Sequence, residues 1–264
     1  LALMISIAMV PIWFWKSMSV LAYITSLGLL VLVEFFGSTG MGAQRWLDMG
    51  FITLQPSEMA KITLIMVLAF YYDWLPEQLV SKPLWIIAPL AIIFFPFFLV
   101  LQQPDLGTAI LIVLGGGAMM FLAGIHWGYF GAALSLSVGG ALTILQSRGK
   151  DWQLLNDYQY RRIDTFIDPS SDPLGAGYHI TQSKIALGSG GWTGRGFGQG
   201  TQSRLNFLPE KHTDFIFTTL AEEFGFIGGI SLLTIYTLII IFAIIAAISN
   251  RDRFSSLLIY GVTV

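Results

Sequence analysis

The chain has 264 residues, of which 55% are hydrophobic and 11% are charged, and its formal net charge is −2. This composition is typical of a membrane protein. The net charge is too small to suggest nucleic-acid binding, and the sequence contains nothing that resembles a basic nucleic-acid-binding stripe. The absence of cysteine excludes disulfides, thiol nucleophiles and cysteine-based metal sites, and three scattered histidines do not suit a zinc site.

Apolar runs near the ~20 residues that a membrane-spanning helix requires recur along the chain. Because backbone groups in lipid must be hydrogen-bonded within their own segment, each run is expected to be helical. The sequence therefore predicts an all-α, polytopic transmembrane helix bundle of about eight helices, forming a single integral membrane domain over residues 1–264. The runs cover Leu1–Trp15, Ser19–Phe36, Ser57–Tyr72, Leu84–Leu101, Thr108–Gly124, Gly128–Leu145, Phe215–Ser249 and Phe254–Val264.

Prolines and glycines within these runs predict local departures from regular helix packing. Pro11, Pro89 and Pro96 are expected to kink their helices. The sequence Gly115-Gly116-Gly117 is expected to allow close packing against a neighbouring helix.

The run Phe215–Ser249 would be about 50 Å long as one helix, more than the ~30 Å hydrocarbon core of a bilayer. Gly225, Gly228 and Gly229 are its natural breaking point. The sequence thus predicts a short helical segment over Asp214–Phe224 whose N-terminus faces a cavity, with one long tilted helix as the alternative.

Lysines and arginines in short loops predict the orientation, because cytoplasmic loops are richer in them. Only Arg45 falls in a short loop on one side, against four cations on the other, Lys16, Lys82, Arg251 and Arg253. The large loop over residues 146–212 is therefore expected to be extracytoplasmic, with amphipathic helices over Asp151–Ile167 and Tyr178–Leu187.

The segment from Gly188 to Gly200 holds seven glycines in thirteen residues. Such a segment can bind phosphate through its backbone N–H groups, but it has neither the Walker spacing nor GxGxxG, and no predicted strand precedes it. Two interpretations stay open, a diphosphate-binding loop and a tight loop whose Trp192 and Phe197 contact lipid or protein.

Carboxylates are costly in a bilayer, so those around the start of the last long run require an explanation. Asp214 stands at its boundary, and Glu222 and Glu223 lie within it. With Thr213 as N-cap, Asp214 would lie in the first turn, where the positive helix end favours the ionised form and burial opposes it. Such a carboxylate suits a general base or a metal ligand, with helix capping as the structural alternative. The spacing of Asp214 and Glu222 places them nearly on one face, which predicts a polar, water-accessible groove.

Other charged residues lie at the predicted outer ends of earlier helices. Glu58 and Lys61 are three residues apart and can form an ion pair, with Ser57 as a candidate helix cap. The functional alternative is that Lys61 and Arg45 attract an anionic headgroup at the mouth of a cavity. Asp105 follows a tight turn and is expected to cap the next helix.

Seven motifs occur in order along the chain: Gly42-Ala-Gln-Arg-Trp-Leu-Asp48, Gln55-Pro-Ser-Glu-Met-Ala-Lys61, Gln103-Pro-Asp-Leu-Gly-Thr108, Asp168-Pro-Ser-Ser-Asp-Pro-Leu-Gly-Ala-Gly-Tyr-His179, Gln182-Ser-Lys-Ile-Ala-Leu-Gly-Ser-Gly-Gly191, Gly200-Thr-Gln-Ser203 and Leu208-Pro-Glu-Lys-His-Thr-Asp-Phe-Ile-Phe217. Together they resemble the SEDS family (shape, elongation, division and sporulation), most closely its RodA-type branch. The resemblance implies a fold of ten transmembrane helices, of which the eight runs would be the second to ninth. The chain is then expected to be a fragment that lacks the first and last helices.

The resemblance further implies a peptidoglycan glycosyltransferase, which polymerises lipid II at the outer face of the bacterial cytoplasmic (inner) membrane during cell elongation and releases undecaprenyl diphosphate. The family's essential aspartate falls on Asp214, which would activate the acceptor sugar hydroxyl or bind a metal ion. Substrate binding is expected from Arg45, Gln55, Glu58, Lys61, Lys211 and His212.

A divalent cation, Mg²⁺ or Mn²⁺, is the cofactor that the resemblance implies. The implied partners are lipid II and the growing glycan strand, a class B penicillin-binding protein acting as transpeptidase, other membrane proteins of the elongation complex, and membrane lipid. Two other functions stay open: a flippase or transporter of a lipid-linked precursor, and a non-catalytic scaffold for a transpeptidase.

Overall fold

The computed structural model describes residues 2–40, 43–48, 50, 53–103, 105–150, 152–154, 160, 164, 168, 176–201 and 215–264. Within these ranges the chain forms α1 (Ala2–Ala8), α2 (Ile12–Phe36), α3 (Pro56–Trp74), a 3-10 helix (Glu77–Leu79), α4 (Pro83–Gln102), α5 (Leu106–Leu122), α6 (Trp127–Ser147), α7 (Ala176–Ser189), α8 (Ile216–Ser249) and α9 (Arg253–Thr263). By length and composition α2, α4, α6 and α8 can each cross a membrane. The predicted helical, multi-pass membrane bundle is confirmed.

The chain divides into two compact units, one formed by Leu1–Gly131 with Ile240–Val264 and the other by Ala132–Ile239. In the first unit α2 and α3 run antiparallel. Lys16 Nζ, near the start of α2, lies 2.5 Å from Asp73 Oδ2 at the end of α3, and midway Ser26 Oγ lies 2.8 Å from Thr63 Oγ1. The surrounding core is apolar, and its fully buried side chains include Leu30, Leu64, Leu68, Tyr72, Ile112, Met119 and Phe254.

The predicted boundary between the first two apolar runs is wrong. Helix α2 begins directly after Pro11 and continues through residues 16–18. Pro11 therefore precedes a helix instead of kinking one, a position where its missing N–H leaves no hydrogen bond unmade. Lys16 is accommodated within α2 because its ammonium group pairs with Asp73.

Helices α4 and α5 approach each other closely at Gly116. A Cβ on Gly116 would lie 2.5 Å from Cγ1 of Ile93 on α4. The close packing predicted for the three consecutive glycines is confirmed at this position. Helix α4 continues through Pro89 and Pro96, both of which are buried.

A small antiparallel sheet between α2 and α3 is absent from the all-α prediction. Strand β1 (Ser38–Gly40) pairs with β2 (Ala43–Asp48), which also pairs with β3 (Thr53–Leu54). Arg45 thus lies on the middle strand and not in an irregular loop as predicted. Strands of two to six residues are too short for their alternation to stand out in a sequence.

In the second unit, the end of α6 is connected to the polar segment that follows it. Arg148 donates two hydrogen bonds, of 2.8 and 2.7 Å, to the carboxylate of Asp164, and they lower the pKa of that carboxyl. The predicted amphipathic helix over Asp151–Ile167 lies largely outside the described residues. The helix predicted over Tyr178–Leu187 is confirmed as part of α7.

Candidate functional site

In the first unit, Arg45 is held by the short connection between α4 and α5. Its Nε donates to the carbonyl of Gln103 over 3.3 Å, and its Nη1 lies 4.0 Å from Asp105 Oδ1. Asp105 also caps α5, because its carboxylate accepts hydrogen bonds from the N–H (3.3 Å) and the hydroxyl (2.9 Å) of Thr108. The predicted cap is confirmed, and the same carboxylate faces a cation.

Gln103 is a buried member of this arrangement that the sequence analysis missed. Its side chain donates a 3.0 Å hydrogen bond to the carbonyl of Leu30 on α2, while its own carbonyl accepts from Arg45. Gln103 therefore links α2 and strand β2 to the connection between α4 and α5. The available signal in the sequence is a pair of glutamines at the end of an apolar run.

Lys61 and Glu58 form the predicted ion pair on α3, with Nζ 2.9 Å from Oε1. Ser57 is not the helix cap. It is buried within the first turn after Pro56, the N-cap position belongs to Gln55, and Gln55 Nε2 donates a 3.1 Å hydrogen bond to the Ser57 hydroxyl.

Lys61 also lines a cavity of about 650 Å³ in the first unit, and it is the charged residue of that lining. The other walls come from α3, α5 and α9 and are apolar, with Leu64, Ile112 and Gly261 among them. The volume is typical of small-molecule sites. A cation among apolar walls suits an amphiphile that carries an anionic group.

In the second unit, α8 is interrupted at Gly225. Its backbone, with φ 68° and ψ −164°, lies in a region that is essentially restricted to glycine. The break predicted at the three glycines is confirmed at the first of them. It leaves Ile216–Phe224 as a short first part of α8.

Residues 190–200, the bridging segment, lie against this break. On its N-terminal side, the N–H groups of Arg195 and Gly196 donate to the carbonyls of Glu222 (3.0 Å) and Glu223 (2.9 Å). These carbonyls end the first part of α8 and would otherwise lack helical partners. The two N–H groups bind protein carbonyls, so at these two positions the diphosphate-loop interpretation is not supported.

On the C-terminal side of the break, the N–H groups of Phe226 and Ile227 donate to the carbonyls of Gly191 (2.8 Å) and Trp192 (3.1 Å). The bridging segment thus provides both donors and acceptors to the interrupted helix. The Trp192 ring also contacts Phe226, with 5.1 Å between ring centroids, and the exposed Phe197 approaches a second phenylalanine of α8. This arrangement is the tight loop of the second interpretation.

Glu222 is fully buried, and its Oε1 accepts a 3.1 Å hydrogen bond from the Thr201 hydroxyl. The predicted water-accessible groove is therefore wrong at Glu222, while Glu223 is half-buried. Thr201 and a further hydrogen bond, between Ser183 of α7 and Thr218 of α8, were missed by the sequence analysis because both connect distant parts of the chain. Outside the described residues lie Lys211, His212, Thr213 and Asp214.

Within the described ranges, no three aspartate, glutamate or histidine side chains come together in a group that could hold a metal ion. The candidate ligand Asp214 lies outside those ranges.

The whole chain matches one family model and is similar to several known proteins. The family model described as a cell cycle protein, for FtsW, RodA and SpoVE, matches residues 1–264. The chain is 43% identical over 264 residues to the peptidoglycan glycosyltransferase MrdB of Escherichia coli K12, covering 99% of this chain and 69% of that protein. It is 34% identical over 266 residues to a probable peptidoglycan glycosyltransferase FtsW of Idiomarina loihiensis, covering 99% of this chain and 63% of that protein.

Solved structures show the same relationship. A structure that describes the coordination of polymerization and crosslinking by a peptidoglycan synthase complex matches with a TM-score of 0.78 and 27% identity, covering 98% of this chain and 70% of that chain. The rod shape determining protein RodA of Thermus thermophilus shows the same fold at 23% identity, with a TM-score of 0.61 and coverage of 94% and 62%. The chain belongs to the FtsW, RodA and SpoVE family of cell cycle proteins, which is the SEDS family that its motifs resemble.

Proposed function

We infer that the chain is a peptidoglycan glycosyltransferase that polymerises lipid II into glycan strands during cell elongation. The observation that carries this proposal is its likeness, over nearly the whole chain, to the Escherichia coli protein named for that activity. The RodA-type motifs support elongation as the setting.

In the proposed reaction, the hydroxyl of the acceptor sugar attacks the anomeric carbon of the lipid-linked donor. The glycosidic C–O bond forms while the C–O bond to the diphosphate breaks, and undecaprenyl diphosphate leaves with the electron pair. The carboxylate of Asp214 takes the hydroxyl proton as general base. A carboxylate close to the start of a helix is suited to this role, because the helix end keeps it ionised before the reaction.

The cavity at Lys61 supports a lipid-linked, anionic substrate. The ammonium group of Lys61 would bind the diphosphate, and the Glu58 carboxylate, 2.9 Å from that ammonium group, would orient it. Arg45 provides a second cation, whose guanidinium is positioned by the connection between α4 and α5. Further substrate contacts are proposed for Gln55, Lys211 and His212.

We propose that this site faces the extracytoplasmic side of the membrane. Lys16 pairs with Asp73 at one end of α3, and Arg253 donates a 2.9 Å hydrogen bond to the carbonyl of Leu75 at the same end. Lys61 lies in the early turns of α3, near its other end. Cations that gather at one end support a cytoplasmic location for that end.

The proposed partner is a class B penicillin-binding protein, a transpeptidase whose membrane helix packs on the bundle. The solved relative in a peptidoglycan synthase complex supports an assembly of this kind. Other membrane proteins of the elongation complex and membrane lipid are proposed as further partners.

We also propose that Mg²⁺ or Mn²⁺ accompanies the departing diphosphate. Polymerisation should stop in excess chelator and resume when either cation is restored. Full polymer yield in excess chelator would contradict the requirement for a cation.

The deciding experiment is polymerisation of purified lipid II by the full-length protein with its transpeptidase partner. Asp214→Asn should abolish polymer while the complex still forms, and Glu77→Gln, an equivalent change in the exposed 3-10 helix, should have no effect. Wild-type polymer yield from Asp214→Asn would remove Asp214 as the general base, and absence of polymer from the wild-type protein would favour the flippase or scaffold functions.

A further inference from the structure

The first part of α8, Ile216–Phe224, begins two residues after Asp214 and ends at the break. Isolated helices of fewer than ~12 residues are marginal in water, and most helical stability in proteins comes from tertiary packing. The orientation of this short helix must therefore come from groups that connect it to other elements.

Two buried polar side chains make such connections, and we call them the anchored face. Thr218 Oγ1 lies 2.8 Å from the Ser183 hydroxyl on α7, and Glu222 Oε1 accepts a 3.1 Å hydrogen bond from Thr201, directly after the bridging segment. Thr218 is 6% exposed and Glu222 is 0% exposed. The two residues are four apart, so they share one side of the helix.

These hydrogen bonds restrict the helix more narrowly than apolar contacts can. A hydrogen bond weakens steeply when its distance or angle departs from the optimum, and a buried polar group that loses its partner is unfavourable. The anchored face therefore opposes rotation about the helix axis. The backbone bonds from Arg195 and Gly196 fix the far end of the same short helix.

We propose that the anchored face positions Asp214 for glycosyl transfer, so that Thr218 and Glu222 are positioning residues of the reaction. This inference rests on the proposed function, in which Asp214 is the general base. Proton transfer requires heavy atoms about 2.6–3.2 Å apart, and a displacement of ~1 Å can lower a rate by ~100-fold. In this proposal, a helix held through its side and its far end limits the displacement of Asp214, which lies two residues before its first residue in the sequence.

The test compares two threonines of α8 in the polymerisation assay with purified lipid II, full-length protein and transpeptidase partner. Thr218→Val removes the hydroxyl that reaches α7. Thr237→Val is the matched control, because the Thr237 hydroxyl is exposed and bonds only within its own helix, to the carbonyl of Leu233. We expect Thr218→Val to lower kcat by ~10- to 100-fold with the KM for lipid II changed less than ~2-fold, and Thr218→Ser to restore kcat. Thr237→Val should match the wild type.

A second variant keeps the proposal testable if Thr218→Val does not fold. Ser183→Ala removes the same hydrogen bond from the α7 side, and the double variant should be no slower than either single one. If Asp214→Asn is inactive while Thr218→Val and Ser183→Ala both match Thr237→Val, the positioning role is overturned and the proposed function stands. If Asp214→Asn polymerises at the wild-type rate, Asp214 is not the general base and the positioning proposal is overturned with that role. If the wild-type protein makes no polymer, the proposed function itself is overturned.

Discussion

A close backbone contact in the second unit predicts that two glycines of the bridging segment respond differently to the same substitution. Gly194 and Gly198 both have left-handed backbones, with φ of 78° and 67°. A Cβ at Gly194 would lie 2.1 Å from the carbonyl oxygen of Glu223, whereas nothing lies within 4 Å of a Cβ at Gly198. Alanine introduces backbone strain at both positions. Of the two, only the alanine at position 194 would also collide with α8.

The magnitude follows from these two effects. Alanine in the left-handed region costs ~1–2 kcal/mol, which both variants share. At Gly194, the Cβ and the oxygen must separate by about 1 Å or more to reach an ordinary C···O distance of ~3.3 Å. That movement breaks the hydrogen bonds from Arg195 and Gly196 to α8, each worth ~0.5–1.5 kcal/mol. We expect Gly194→Ala to lower the free energy of unfolding by ~2–5 kcal/mol and Gly198→Ala by ~1–2 kcal/mol.

Reversible unfolding in mixed micelles of non-ionic detergent and sodium dodecyl sulfate, followed by tryptophan fluorescence, measures both values. Hydrogen exchange at the amides of Arg195 and Gly196 gives a local measure, because exchange should accelerate in Gly194→Ala and not in Gly198→Ala. If the two free energies agree within ~0.5 kcal/mol, the reasoning from the 2.1 Å contact is refuted.

Three further predictions concern the first unit. Gly116→Ala should lower the free energy of unfolding by ~1–3 kcal/mol because it forces α4 and α5 apart. Gly117→Ala should not lower it, because a Cβ at Gly117 would meet nothing within 4 Å. Equal effects of the two substitutions in the micelle titration would contradict the close packing at Gly116. The hydrogen bond from the Ser255 hydroxyl lowers the pKa of Asp252 in the folded protein. The ionised Asp252 carboxylate therefore stabilises the fold fully above the pKa of the unfolded chain, about pH 4, and this stabilisation is lost as the pH falls through the folded pKa. The difference in thermal midpoint between wild type and Asp252→Asn should therefore shrink from pH 7 to pH 3, and a constant difference would argue against it. Arg45→Lys keeps the positive charge but replaces the two donor nitrogens of the guanidinium, Nε and Nη1, by a single ammonium nitrogen. It should therefore lower the free energy of unfolding by ~1 kcal/mol, and unchanged stability would show that the guanidinium geometry is not required.

Hydropathy located the helices because the bilayer imposes both a length and internal hydrogen bonding. Helix α5, at Leu106–Leu122, agrees within two residues with the predicted run Thr108–Gly124. The boundary near Lys16 was wrong for a different reason. A single charged residue in an apolar region usually indicates a loop, but here the ammonium group of Lys16 lies within a helix and pairs with the carboxylate of Asp73 on another helix. That pairing joins distant parts of the sequence, and no local pattern contains it.

The same distinction separates what could be predicted of the candidate site from what could not. The ion pair between Glu58 and Lys61 and the cap at Asp105 involve residues within one turn, so helix geometry was sufficient. The break at Gly225 followed from a length argument. The hydrogen bond from Arg45 to the connection between α4 and α5 depends on which elements pack together, and the sequence alone does not specify that.

The break in α8 and the bridging segment depend on each other, because their backbone groups form hydrogen bonds with one another. A helix that breaks in or near lipid exposes carbonyls before the break and N–H groups after it, and lipid can satisfy neither. Residues 190–200 provide the missing partners on both sides, and they do so at a distance that side chains would prevent. A Cβ at Gly190 or at Gly194 would lie 2.1 Å from a carbonyl oxygen of α8. Glycine loses more conformational entropy on folding than other residues, so a glycine-rich loop is costly by itself. The glycine-rich loop occurs here because the broken helix requires backbone hydrogen-bond partners at close range. For the same reason, a flexible linker could not replace this loop.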